Sequence, residues 1–198
     1  NDAGTSSFWI DQTPFLIDAG VGTYTRQTFS KDRYTIWTMQ SNYHNLPLIN
    51  GVPQKHGATY KATQVQADKR KNTFTANIAT AYPAEAEVES WIRSYSLQKG
   101  QLRISDSFRL TTAKQPNQIN FMTWGQVNTE IPGKIQLEVK GKKAFIEYDK
   151  QLFDVKTETI PLTDPRLSNV WGKSIYRITL TATNIYKTGN YSFIIKKQ

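Results

Sequence analysis

The chain has 198 residues, no cysteine and a formal net charge of +9 at neutral pH. This length fits one large β-sandwich whose core needs no covalent cross-links, and the absence of cysteine excludes disulfides and thiolate metal sites. The positive charge favours polyanionic partners, and no apolar run approaches the roughly 20 residues that span a bilayer.

Alternating apolar and polar residues begin near the start of the chain. Residues 7–10 and 15–17 flank a turn at residues 11–14, which predicts a β-hairpin. Residues 34–39 (YTIWTM) also alternate and predict a strand. Asn50-Gly51 predicts a tight turn, because this dipeptide tolerates left-handed backbone angles.

The rest of the chain continues in the same pattern. Residues 58–65 and 73–79 predict an antiparallel pair across a basic turn at residues 68–72. Residues 83–89 are rich in helix formers but allow only one or two helical turns. Residues 161–170 contain two prolines and predict the longest loop. Further strands are predicted at residues 91–97, 102–110, 119–124, 135–139, 144–148, 153–160, 175–182 and 191–195.

About a dozen strands with closely spaced turns predict an all-β fold, a large antiparallel β-sandwich with at most one short helix. No change of composition requires a second domain, so residues 1–198 are predicted to form one. Short basic clusters at residues 69–71, 140–143 and 196–197 are each interpreted as solvated turns or as part of the terminus.

Two histidines and one aspartate are the candidates for metal or acid–base chemistry. His44 precedes an apolar run and suits either a metal ligand or a hydrogen-bonded structural histidine. His56 lies in a predicted exposed turn. Asp18 precedes two glycines, Gly20 and Gly22, whose conformational freedom allows a loop that brings Asp18 to a distant partner. A zinc site needs three or four ligands, so two residues alone do not define one.

Three residues between Asp18 and His44 suit carbohydrate chemistry. Arg33 has the geometry to bind a carboxylate or sulfate with two parallel hydrogen bonds. Tyr34 is a candidate proton donor to a leaving oxygen, and Trp37 has an apolar face that stacks on sugar rings. Each residue type is also common in ordinary packing. The chain contains no H-E-x-x-H, G-x-S-x-G or dinucleotide-binding pattern.

Three sequence blocks carry a family resemblance. The opening NDAGTSSF (1–8) resembles the motif H-x-H-N-D-A-G-S-F of the heparinase II/III-like polysaccharide lyases. The segment LIDAGVGTY (16–24) resembles the next block of that family. Residues 43–54, with HN, NG and a final glutamine, resemble its HN…(N/D)G…Q block. The three blocks occur in the family order and cover about the first third of the chain.

The resemblance implies the β-sandwich domain that follows an (α/α) toroid in these lyases, which cleave uronate polysaccharides by β-elimination. It implies a zinc site in which Asp18 and His44 are two ligands, with the third expected just before Asn1. The main catalytic residues would lie upstream of this chain. Within it, the resemblance leaves Tyr34 as a weak catalytic candidate.

Arg33, Trp37 and Asn45 are the predicted substrate-binding residues, and the predicted partners are an acidic polysaccharide and the toroid of the same protein. Because the chain starts inside a motif, without an initiator methionine or signal peptide, it is predicted to be a fragment. The fragment is expected to have no lyase activity by itself and to retain zinc weakly.

Several alternatives remain open at this stage. The alternative is a non-catalytic domain that binds carbohydrate or supports the toroid. Nucleic-acid binding is disfavoured, because the sequence has neither a recognition-helix pattern nor an RNA-binding aromatic motif. The family's substrates imply a periplasmic or secreted location. Which uronate glycan is cleaved, and in which mode, does not follow from these residues.

Overall fold

Fourteen β-strands, all paired antiparallel, and one α-helix make up the computed structural model, which describes residues 1–198. The strands are β1 (Phe8–Ile10), β2 (Thr13–Leu16), β3 (Pro47–Leu48), β4 (Thr63–Asp68), β5 (Thr73–Asn77), β6 (Val88–Gln98), β7 (Gln101–Leu110), β8 (Gln118–Thr123), β9 (Gln126–Ile131), β10 (Lys134–Val139), β11 (Lys142–Tyr148), β12 (Phe153–Pro161), β13 (Ser174–Ala182) and β14 (Thr188–Lys197). The helix is α1 (Pro165–Trp171).

The strands form two sheets and a separate hairpin. The large sheet has eight strands in the order β4-β5-β6-β7-β14-β11-β10-β9, and the small sheet has four in the order β12-β13-β8-β3. Strands β1 and β2 pair only with each other. The last strand, β14, therefore lies in the interior of the large sheet, between β7 and β11.

A core of 29 buried residues fills the space between the two sheets. Strand β7 shows how the sequence produces it, since Leu102, Ile104, Phe108 and Leu110 are buried at alternate positions while the intervening side chains face outward. Trp91 of β6 stacks on Phe108 with ring centroids 4.8 Å apart. This confirms the predicted β-sandwich.

The outer face of the small sheet is covered by a layer of irregular chain. Met122 and Ile175 belong to a second cluster of seven buried residues, whereas their strand neighbours Phe121 and Ile178 belong to the main core. Helix α1 contributes Leu167 to the second cluster. The layer also contains short 3₁₀ turns, and it positions the candidate site.

Two expectations about secondary structure are wrong, and one strand was not anticipated. Residues 34–39 do not form a strand; they lie in two 3₁₀ turns, Arg33–Thr35 and Trp37–Met39. The predicted loop at residues 161–170 contains most of α1, capped by Asp164. Strand β9 was not predicted, because its residues are mostly polar and exposed at the sheet edge.

The predicted hairpin turns are confirmed. Asn50-Gly51, Lys99-Gly100 and Lys140-Gly141 each have positive φ at both residues, as two-residue hairpin turns with the matching twist require. Residues 68–72 join β4 to β5 as predicted. No helix in the structure is long and apolar enough to cross a membrane.

Candidate functional site

The structure brings Asp18 and His44 together. His44 Nδ1 lies 3.3 Å from Asp18 Oδ2, although the two residues are 26 positions apart. His44 is buried, whereas the Asp18 side chain is 43% exposed. The geometry leaves Nδ1 without a hydrogen-bond partner, so this atom is a buried polar group that faces a carboxylate. Such an atom is costly to bury unless a proton or a cation is shared there.

Local backbone contacts fix both side chains. The Ile17 N–H donates to the Met122 carbonyl at 2.9 Å, which attaches the Asp18 segment to the end of β8. Asp18 Oδ1 accepts from the Gly20 N–H at 2.7 Å. The His44 imidazole holds the pKa of Asp18 below its ordinary range; burial opposes this shift, and the Gly20 N–H favours it. Asp18 is therefore a carboxylate at neutral pH.

Asn45 is buried and joins three segments. Its amide Nδ2 donates to the carbonyls of Ser6 at 2.7 Å and Ile17 at 3.0 Å, and its Oδ1 accepts from the Met122 N–H at 2.7 Å. The residue is only 1% exposed. The amide of Asn45 therefore holds the Asp18 segment beside His44, and its predicted role in substrate binding stays a prediction.

Gln54 connects the first and third sequence blocks. Its side chain exchanges two hydrogen bonds with the backbone of Ala3, at 2.9 and 2.8 Å, and its N–H donates to Ser41 Oγ at 2.8 Å. With Asn45, it brings the three blocks of the family resemblance into one hydrogen-bonded unit.

A buried ion pair supports this unit from the large sheet. Arg93 of β6 and Asp106 of β7 are both fully buried and share two hydrogen bonds of 2.8 and 2.7 Å. Arg93 also donates to the Asn45 carbonyl at 2.7 Å, and the Trp91 indole donates to Asp106 at 2.8 Å. This pair was not predicted. The pattern that could have indicated it is a charged residue at an inward position of an alternating strand, which both Arg93 and Asp106 occupy.

Tyr34 stacks on His56, with ring centroids 3.6 Å apart and an angle of 6° between the planes. Both rings line a pocket of about 310 Å³ that also contains Asn1 and Gln54. His56 is exposed, as predicted, but its contact with Tyr34 was not foreseen. Arg33 lies with Cζ 5.8 Å from the Tyr34 ring centroid, and its Nε is buried without a partner.

Trp37 packs away from this pocket. Its ring packs edge-on against Tyr43, with the ring centroids 5.3 Å apart. Arg177 of β13 lies over the Tyr43 ring, with Cζ 4.4 Å from the ring centroid. Trp37 is half-buried against the second cluster. The structure thus brings Asp18 to His44 and Tyr34 to His56, but neither Asp18, His44 nor Trp37 lines the Tyr34 pocket.

The donor atoms fit part of a zinc site. His44 Nδ1 and the Asp18 carboxylate are donors that zinc accepts. No group of three or more histidine, cysteine, aspartate or glutamate side chains in the chain could hold a metal ion. These two donors alone are fewer than the three or four ligands of a zinc site.

The Asp18 segment continues into a loop held by Asp164. Asp164 accepts hydrogen bonds from the Thr23 N–H at 2.5 Å, the Thr23 hydroxyl at 2.8 Å and the Arg166 N–H at 2.9 Å. These donors, Thr23 first, hold the pKa of Asp164 below its ordinary value of 3.8. The stabilisation is complete above that value and is lost as the pH falls through the lower folded-state pKa.

We expect Asp164→Asn to lower the thermal midpoint at neutral pH, and the difference from wild type to shrink as the pH falls below 3.8. Thermal unfolding across acidic and neutral pH tests this. Asp154→Asn, which changes an exposed carboxylate of β12 without hydrogen bonds, is the matched control. A difference that is constant with pH would contradict the expectation.

The fold and site together define a large antiparallel β-sandwich with an outer loop layer that carries an aspartate–histidine pair. Comparison with protein-family models finds no match, and comparison with curated proteins finds none either. Among solved structures, the chain is similar to the "Heparinase III-BT4657 gene product", with a TM-score of 0.70 at 13% identity. A form of that protein with methylated lysines gives a TM-score of 0.71 at 12% identity.

Both matches cover 100% of this chain but only 30% of the solved chain. The chain thus spans under a third of the length of these relatives. At such low identity the likeness establishes the fold, and it confirms at that level the resemblance seen in the three sequence blocks.

Proposed function

We propose that this chain is the β-sandwich domain of a polysaccharide lyase that cleaves uronate-containing glycans by β-elimination. It would contribute metal-site and cleft residues, and an (α/α) toroid of the same protein would supply most of the catalytic groups. The solved relatives that share its fold are titled heparinase III. A periplasmic or secreted location belongs to the same proposal.

The Asp18–His44 pair is the observation that supports this proposal. A buried imidazole nitrogen without a hydrogen bond lies 3.3 Å from a carboxylate. Asn45, which follows His44, holds the Asp18 segment through its hydrogen bond to the Ile17 carbonyl.

His44 and Asp18 would hold a zinc ion together with a ligand that precedes Asn1. A bound zinc ion would supply a fixed positive charge and link the two loops. With only two ligands in the chain, we expect zinc to be retained weakly by residues 1–198 alone.

Tyr34 and Arg33 are the residues that would face a glycan. The Tyr34–His56 stack forms one wall of the pocket, and its phenol is a candidate proton donor to the departing glycosidic oxygen. The guanidinium of Arg33, whose Cζ lies 5.8 Å from the Tyr34 ring centroid, suits a uronate carboxylate, whose neutralisation makes the adjacent proton easier to remove. Trp37 packs on Tyr43 outside this pocket, so a role in glycan binding would place it at a second contact point.

A second candidate function is a non-catalytic domain that binds carbohydrate or supports the toroid. The burial of Asn45 and the packing of Trp37 favour it, because both residues serve the fold. The two functions differ in what His44 does: only the lyase function requires His44 for turnover or metal content.

The test uses a longer protein that includes the upstream toroid and the residues before Asn1. It is incubated with a panel of uronate polysaccharides, and the ultraviolet absorbance of the unsaturated product is followed. We expect product from one glycan class, and His44→Ala should lower the rate by at least about 10-fold together with the zinc content. Residues 1–198 alone should give no product.

His56→Ala is the control for His44 in the zinc measurement, because His56 is exposed and lies outside the Asp18 pair. Unchanged rate and zinc content in His44→Ala would contradict the role of His44. Absence of product from every glycan, with the longer protein folded and zinc bound, would favour the non-catalytic function.

A further inference from the structure

The basic clusters lie at one end of the large sheet. The strand registers bring four segments together at this end. They are the turns that join β4 to β5, β6 to β7 and β10 to β11, and the last residues of β14. We refer to this surface as the basic end. Its basic residues are Lys69, Arg70, Lys71, Lys99, Lys140, Lys142, Lys143, Lys196 and Lys197.

Acidic side chains offset only part of this charge. The basic end has nine basic residues and four nearby acidic partners (Asp11, Asp68, Glu138 and Glu147), which leaves an excess of five out of the chain's +9. Lys69, Arg70 and Lys99 form no ion pair. Lys140 forms none either, and its Nζ lies 5.1 Å from the centroid of the Trp124 ring.

Two of the lysines occupy unusual backbone positions. Lys99 and Lys140 each have φ of 50° and precede a glycine in a two-residue hairpin turn. This position favours asparagine, aspartate or glycine, because a larger side chain is strained at positive φ. Lysine occupies this strained position in both turns, which places a cation at the tip of each turn at some cost in stability.

A groove of about 850 Å³ lies at the basic end, between β1, the turn that joins β6 to β7 and the last residues of β14. Trp9 lies in it and is 58% exposed, although its neighbours Phe8 and Ile10 in β1 are buried. Leu97, Lys99 and Lys196 are among the other lining residues. Trp9 therefore presents a large exposed aromatic ring in the same groove as Lys99, which forms no ion pair.

We propose that the basic end binds a linear acidic polysaccharide, with Trp9 stacked on a sugar ring and the turn lysines paired with its sulfate or carboxylate groups. This site shares no residue with the Asp18–His44 pair or the Tyr34 pocket. It does not depend on the lyase function proposed above.

The dimensions and composition favour a sugar polymer. From β5 to β10 the basic end crosses five strand spacings, about 24 Å, which suits an extended chain rather than a single small anion. The groove is concave and contains one exposed tryptophan, which suits a strand better than a flat lipid surface.

The test is calorimetric titration of residues 1–198 with a heparin octasaccharide at low and physiological ionic strength. The key variant is Lys99→Asn/Lys140→Asn, which removes two charges and introduces the residue that these turns prefer, so it should keep or raise the thermal midpoint. We expect it to weaken binding about 10-fold and to reduce the salt dependence. Trp9→Ala should weaken binding about 3- to 10-fold.

The control is Lys150→Gln/Lys156→Gln, which removes the same charge from exposed lysines without ion pairs elsewhere on the molecule. It should change the affinity less than about 2-fold. An equal loss in the control would show that net charge alone governs binding and would overturn the proposal. So would unchanged binding in Trp9→Ala, tighter binding of single-stranded DNA of matched charge, or capture by phosphatidylserine vesicles without binding of the octasaccharide.

Discussion

Replacing Asp106 by asparagine is expected to lower the free energy of unfolding by about 3–5 kcal/mol. Arg93 would keep its charge in the core but lose the carboxylate that neutralises it. Both side chains are 0% exposed, so water cannot take over the role of the missing partner. The Trp91 indole and the Asn45 carbonyl share this network, and their hydrogen bonds would be disturbed as well.

Chemical denaturation at neutral pH measures this loss. The double variant Arg93→Met/Asp106→Leu removes both charges and fills the space with apolar atoms, so it should recover much of the stability. Glu89→Gln is the surface control, because its pair with Arg109 is exposed and long at 4.0 Å. If Asp106→Asn cost under about 1 kcal/mol, the pair would not be the buried centre that the geometry indicates.

The second large effect is expected for Asn45→Ala, which should lower the free energy of unfolding by about 2–4 kcal/mol. The change leaves the carbonyls of Ser6 and Ile17 and the N–H of Met122 without their partner. Each buried group that loses its only hydrogen bond contributes a desolvation cost of about 1–3 kcal/mol, partly relieved by relaxation.

Denaturation and hydrogen exchange test this prediction together. The Met122 amide should exchange faster in Asn45→Ala, because its acceptor is Asn45 Oδ1. Asn184→Ala, at an exposed amide, should change neither measurement. Normal stability with faster exchange at Met122 alone would mean that the loop layer opens independently of the sandwich.

The hairpins could be predicted because their turns are local. Asn50-Gly51 and Lys99-Gly100 carry the required glycine in the sequence itself, and alternating residues flank them. The strand predicted at residues 34–39 was wrong because alternation indicates only that a segment is half-buried. It does not indicate that the segment has a strand to pair with. They cover the outer face of the small sheet, where 3₁₀ turns satisfy their backbone groups.

Helix α1 has a local sequence pattern that indicates a helix, although a loop was predicted there. Asp164 and Pro165 form an N-cap followed by proline at the first helical position, and Gly172 follows the last turn. The two prolines were instead taken as evidence for a loop. Strand β9 had no comparable pattern, because an edge strand with polar residues on both faces resembles a loop.

The candidate site was predictable only in part. The motif blocks indicated Asp18 and His44, and the structure places them 3.3 Å apart. The contacts around them could not be predicted from the sequence. The Arg93–Asp106 pair and the Tyr34–His56 stack both depend on contacts between distant segments. The charge at the basic end was divided among short clusters, and only the strand register unites them.

The position of β14 between β7 and β11 determines when the large sheet can be completed during synthesis. The other seven strands of the large sheet divide into a block of four, β4–β7, and a block of three, β9–β11, which have no direct pairing. A ribosome completes both blocks before it makes the strand that joins them. Their facing edges, β7 and β11, must therefore stay unpaired at this stage of synthesis, and stable closure of the sandwich must wait until β14 has emerged.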